Sequence, residues 1–131
     1  VGSDGIFGSR PHPRLYGTYP KVLGRYVREQ GVMTLAEAIR KMTGAQAQFL
    51  RLKDRGYLRE NYWADIVIFN PGTITDNASY EDPLQPPTGI AYVIVNGQIT
   101  IHDNEYTGAT AGQVIRREDT LIYQSDAVSL K

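Results

Sequence analysis

The stretch Tyr92-Val93-Ile94-Val95-Asn96-Gly97-Gln98-Ile99-Thr100-Ile101-His102 decides the fold. Its first four residues are β-branched or aromatic, which suits a pleated strand with side chains buried on both faces. Asn96-Gly97 matches the central pair of a type I′ turn, where both residues need positive φ, and the alternating run Gln98 to His102 reads as the return strand. A hairpin is expected. A second apolar run, Ile66-Val67-Ile68-Phe69, predicts another strand buried on both faces. Between them, Asn70 to Gly89 carries four prolines and two aspartates with few core residues. It is longer than a usual loop in a compact domain, so it is expected to wrap a surface or to be mobile.

Upstream of Asp54-Arg55-Gly56 the pattern is helical. Pro20 opens a segment with Val22, Leu23, Tyr26 and Val27 on one face, closed by Gln30 and Gly31; proline suits the first helical turn and glycine the residue past the end. Thr34 and Glu37 form a T-x-x-E capping box, predicting a reciprocal pair of side-chain to backbone bonds. The helix it starts would bury Leu35, Ala38, Ile39 and Met42, and Gly44 would end or kink it before Ala45 to Leu52 continue. Val1 to Gly17 holds four glycines and two prolines, which predicts an irregular loop. Downstream, Thr107 to Gly112 is small and glycine-rich, and Val114-Ile115 suggests a last strand. The organisation expected is a helical part over 1–53, a β-part over 54–117 and a patternless tail over 118–131.

A chain of 131 residues fits one domain that buries about two-thirds of its unfolded surface. Hydrophobic content of 41% with 21% charged residues is that of a globular protein. Fourteen basic and fourteen acidic residues cancel, which gives no footprint for nucleic acid or an anionic membrane surface. The longest apolar run, Ile90 to Val95, is far shorter than a bilayer span, and the N-terminus lacks a secretory pattern; the expectation is a cytoplasmic protein. Because the chain begins at Val1 and enters a polar glycine-rich stretch directly, it suggests a piece of a longer or processed polypeptide. There is no cysteine, and His12 and His102 are the only histidines. A catalytic zinc normally takes three protein ligands, mostly histidines, so this chain is not expected to hold one alone.

The densest polar cluster is Gly2-Ser3-Asp4-Gly5 followed by Arg10-Pro11-His12-Pro13-Arg14. Asp4 lies between small residues that would not shield it from a substrate; an Asx-type turn or helix cap is the more ordinary role. His12, flanked by prolines, is held stiffly, as suits either a positioned group or a packed ring bonded to backbone. Arg14 offers a planar fork that matches a carboxylate, with a surface ion pair as the alternative.

The run Gly2-Ser3-Asp4-Gly5, then Pro11-His12-Pro13-Arg14-Leu15-Tyr16-Gly17-Thr18-Tyr19-Pro20-Lys21-Val22-Leu23-Gly24-Arg25-Tyr26-Val27-Arg28-Glu29, resembles the signature of D-aminoacylases and N-acyl-D-amino-acid deacylases of the amidohydrolase superfamily. The resemblance continues through Thr34 to Ile39, Arg55-Gly56, Ala64 to Phe69 and Val93 to Gly97, and reaches about Arg116. It implies an α+β chain from the C-terminal end of such an enzyme: short helices from the end of a (β/α)8 barrel, then a β-sandwich portion. Barrel active sites lie at the C-terminal ends of the strands, and Asp4 would follow strand eight.

By the same resemblance Asp4 is the general acid and base and a contact to a weak second metal site. Arg14 binds the α-carboxylate of a small N-acyl-D-amino acid, and His12 helps to shape that substrate pocket. The zinc of the full-length enzyme would be held by upstream ligands, so the isolated chain is expected to be inactive. Two other readings stand beside this one. The first is a non-catalytic module that self-associates through open β edges or pairs with the missing N-terminal part. The second is a hydantoinase-like hydrolase of cyclic amides, which the His12-to-Gly17 segment disfavours.

Overall fold

The structure, a computed structural model, describes residues 1–115; the tail expected over 118–131 lies outside them. The helical part comprises α1 (Arg14–Lys21), a wide π-helical segment (Val22–Glu29), α2 (Leu35–Met42) and α3 (Gly44–Phe49). A meander of four antiparallel strands follows in the order β1 (Ile66–Phe69), β2 (Ile90–Val95), β3 (Gln98–His102) and β4 (Glu105–Tyr106).

The first helix begins six residues before Pro20, so only the head of the Val1 to Gly17 stretch is irregular. Pro20 lies inside α1. Proline has no N–H to donate to the preceding turn, and the helix widens immediately after it, with the amide of Gln30 donating to the Arg25 carbonyl five residues back at 3.0 Å. Gly31 ends the segment as expected. It takes φ +61°, its amide donates to Val27, and the Val32 amide reaches back to Tyr26 at 2.8 Å, the paired closure that a left-handed glycine permits.

Half of the expected capping box is present. The Glu37 amide donates to Thr34 Oγ1 at 3.2 Å, but the Glu37 carboxylate turns to Arg40, accepting from Nε at 2.9 Å and from Nη2 at 3.0 Å. An i,i+3 charge pair on the exposed helix face competes successfully for that side chain. Ala38 on the opposite face is fully buried and packs with Val22, Leu23 and Ile74 as the core cluster. The break expected at Gly44 falls one residue earlier: Thr43, at φ −131°, separates α2 from α3, and Gly44 is the first residue of α3.

The Asn96-Gly97 turn takes φ of 48° and 81° and joins β2 to β3. One residue is skipped on each side of β2: Phe69 pairs with Ile90 while Ile68 pairs with Tyr92, and Ile94 pairs with Ile99 while Val93 pairs with Ile101. A bulge reverses the alternation of side chains beyond it. Ile90 and Val93, three residues apart, therefore share a face with Val67 and Phe69. That face lines a groove of about 380 Å³ with Tyr16, Leu23 and Met42.

The expected burial on both strand faces is not met among the described residues. Val67, on the helix side, is 52% exposed in the open groove, and Ile68, on the other face, is 48% exposed because no second described sheet lies over it. Nor do Val114 and Ile115 form a strand; among the described residues the last strand is the short β4.

Asn70 to Gly89 wraps the helices. Ile74 is its anchor and is 1% exposed. The Arg28 guanidinium donates to the carbonyls of Ile74 and Pro71, and Thr75 and Thr88 bridge as an isolated antiparallel pair at 3.1 Å. Close approach is made possible by glycine. A Cβ on Gly24 would stand 2.6 Å from the Ile74 carbonyl oxygen, and one on Gly17 3.3 Å from Asp76 Cβ.

Candidate active site

The wrapping segment delivers a second wall to the loop that carries Asp4, His12 and Arg14. Asp4 adopts φ 48°, a left-handed conformation that aspartate tolerates better than most residues. Its carboxylate is 79% exposed and stands 2.9 Å from Arg14 Nη2, while Arg14 Nε donates to the Asp4 main-chain carbonyl at 2.8 Å. The structure thus joins two of the three candidate residues directly.

His12 is tied at both ring nitrogens. Nδ1 accepts the Arg14 amide at 3.0 Å, next to the first turn of α1, where backbone N–H groups have no helical acceptor. Nε2 meets the Tyr80 hydroxyl at 3.0 Å, and the two rings meet edge to face, 5.1 Å apart at 76°. Arg10 Nη2 also donates to the Tyr80 carbonyl at 3.3 Å.

Behind this pair, His12, Arg14, Thr18, Lys21, Asp76 and Tyr80 line part of a cleft of about 320 Å³. Lys21 Nζ pairs with Asp76 at 3.1 Å across it. Ser79 fixes the turn below by accepting the amides of Glu81 at 3.2 Å and Asp82 at 3.0 Å. Separately, hydrogen bonds to the Glu81 carboxyl, first from its own backbone amide and then from the Ser79 hydroxyl, hold it below the usual carboxylate range.

Sequence reasoning missed Tyr80 and Asp76. The available signals were the two helical glycines seven apart, which announce a close backbone approach, and the Asn77-Ala78-Ser79-Tyr80-Glu81-Asp82 turn chemistry. Among the described residues, no group of three or more His, Cys, Asp or Glu is placed to hold a metal ion, and no helix is long and apolar enough to cross a membrane. Asp4 offers one exposed carboxylate donor, so the donor set fits a contributing ligand and not a complete metal site.

The chain is a member of the amidohydrolase family, which it matches over residues 1–101. It is 45% identical to the D-aminoacylase of Alcaligenes xylosoxydans xylosoxydans over 89% of its own length and 24% of that protein's. In structure it resembles a D-aminoacylase with a binuclear metal centre, at a TM-score of 0.87 and 45% identity, covering 89% of this chain and 25% of that one. It also resembles the N-acyl-D-glutamate deacylase of Bordetella bronchiseptica, complexed with zinc and a phosphonate mimic of the reaction's tetrahedral intermediate, at a TM-score of 0.75 and 46% identity over 76% of this chain and 21% of that one. The chain therefore spans about a quarter of the length of the relatives it matches.

Proposed function

We propose that this chain forms the C-terminal portion of a zinc-dependent hydrolase that splits N-acyl-D-amino acids into a D-amino acid and a carboxylate. The observation that supports it best is the contact of 2.9 Å between Arg14 Nη2 and the Asp4 carboxylate, in a chain 45% identical to a D-aminoacylase. In this reading residues 1–53 are the barrel's active-site loop and closing helices, and 54–117 belong to a β-sandwich.

The chemistry follows from two side chains and one wall. Arg14 takes the substrate α-carboxylate on its fork, which brings the neighbouring amide within reach of Asp4. Asp4 accepts a proton from the attacking water and returns it to the leaving nitrogen, so that the amine departs neutral. His12 shapes the pocket beside Arg14. Zinc, when bound by residues elsewhere in the polypeptide, supplies Lewis-acid polarisation; Asp4 is the one residue here that would contribute to a second, weak metal site. The 131 residues alone are inactive in this reading.

The test is turnover of matched N-acetyl-D- and N-acetyl-L-amino acids and a hydantoin by the complete polypeptide. D-selective release of acetate is expected. Preference for the L series or for the hydantoin would overturn the assignment.

One observation also favours a second reading for the isolated chain. β1 is an outer strand of the sheet, and its Val67 and Ile68 are half exposed, an arrangement that invites pairing with another chain or with the upstream part of the same polypeptide. Size-exclusion chromatography of the 131-residue chain should then show concentration-dependent association. A monomer at all concentrations would count against it.

A further inference from the structure

Resting on the deacylase reading, we propose that Tyr80 is a positioning residue for this site, acting through His12 to set the carboxylate-binding geometry of Arg14. A neutral imidazole has one donor and one acceptor nitrogen. With Nδ1 accepting the Arg14 amide, the proton sits on Nε2 and is donated to the Tyr80 hydroxyl oxygen. The ring is thus fixed in both tautomer and orientation by a residue sixty-eight positions away in sequence.

Tyr80 is itself held. Its carbonyl receives Arg10, Ser79 locks the turn that follows it, and the Ser79 amide donates to the Asp82 carbonyl at 3.0 Å. Arg10 and His12 therefore fasten the candidate catalytic loop to one residue of the wrapping segment. His12 is left as a strut, since both its ring nitrogens are committed to protein partners.

The consequence falls on Arg14. Its amide is the group that His12 holds, and its side chain is the group that holds Asp4. Removing the Tyr80 hydroxyl frees the ring to turn, takes the acceptor from the Arg14 amide and loosens the guanidinium that must meet the substrate carboxylate. Tyr80 is 67% exposed, so its loss does not open the core.

The experiment compares Tyr80→Phe in the complete enzyme in two backgrounds, wild type and His12→Asn. Asparagine keeps an acceptor for the Arg14 amide without needing Tyr80. In the wild-type background Tyr80→Phe should raise KM for substrates with a free α-carboxylate about tenfold, with kcat nearly unchanged and neutral amide analogues unaffected. In the His12→Asn background it should do nothing more. Unchanged KM in an active wild-type background, or equal effects in both backgrounds, overturns the proposal. If the wild type does not deacylate N-acyl-D-amino acids, the functional reading fails instead. The His12 Nε2 nitrogen resonance of the complete polypeptide then decides, and no change on Tyr80→Phe overturns the contact.

Discussion

Arg14 holds Asp4 from two directions: its Nη2 lies 2.9 Å from the carboxylate and its Nε donates to the main-chain carbonyl at 2.8 Å. The side chain that would bind substrate therefore also fixes the backbone of the residue that would move the proton. Both roles depend on the start of α1, because the Arg14 amide is itself anchored on His12.

Asp4→Asn keeps the shape and the hydrogen-bonding size of the side chain but removes the base. In the complete enzyme it should lower kcat by about 10²–10⁴-fold, while metal analysis still finds the zinc held by residues elsewhere in the polypeptide. Turnover near the wild-type level would remove Asp4 from the mechanism.

Arg14→Ala removes the fork and releases Asp4 together. KM for substrates carrying a free α-carboxylate should rise more than KM for the corresponding neutral amides. Steady-state kinetics on the two series provide the comparison, and equal increases would rule out the clamp.

Gly24→Ala would drive a Cβ to within 2.6 Å of the Ile74 carbonyl oxygen, which belongs to the backbone of a fully buried residue. Neither side can give way cheaply. The expected loss is about 1–3 kcal/mol by urea denaturation, against a negligible change for alanine at Gly97's neighbour Gln98 on the exposed side of the hairpin.

Arg55 is 8% exposed and joins Asp65 to Asn96 Oδ1, the latter at 2.8 Å, while the Asn96 amide donates to Asp65 Oδ1 at 2.8 Å. Arg55→Ala leaves Asp65 without its counter-charge at the foot of the β2–β3 hairpin. Asp65 is a third exposed, which moderates the penalty to about 2–3 kcal/mol. Denaturant titration checks it, and an unchanged midpoint would contradict the buried network.

Glu37 gives a pH dependence. The hydrogen bond from Arg40 holds its carboxyl below the usual carboxylate range, so the folded state binds that proton less readily than the unfolded chain. The pair therefore stabilises above the unfolded value, and its contribution fades as pH falls through the lower folded value. Glu37→Gln should be less stable than the parent at pH 7 and converge with it in acid, as followed by thermal melts. A constant difference across that range would show that the charge is not involved.

Much of the local structure was legible because it depends on neighbours in the chain. Asn96-Gly97 specifies its own turn, Gly31 its own helix end, and Thr34 its own cap. The errors have one physical form. Pro20 was placed at a helix start by its missing N–H, yet tertiary packing carries the helix through it as a wide turn. Glu37 was assigned to the cap amide, and a nearby cation took it instead. Ile66 to Phe69 were expected to be covered on both sides, and the described residues cover one.

The sequence by itself determined the candidate residues Asp4, His12 and Arg14 and the family to which they point, since that signal is a contiguous run of side chains with a fixed spacing. Only the tertiary structure decided what those residues touch. The pairing of Asp4 with Arg14, the grip of Tyr80 on His12 and the burial of Ile74 against Gly24 each join positions through space. Two bulges in β2's ladders also decided which apolar residues face the helices. The physical reason is that a side chain's partners depend on where the wrapping segment 70–89 settles, and that is set by long-range packing against glycine-lined helix surface.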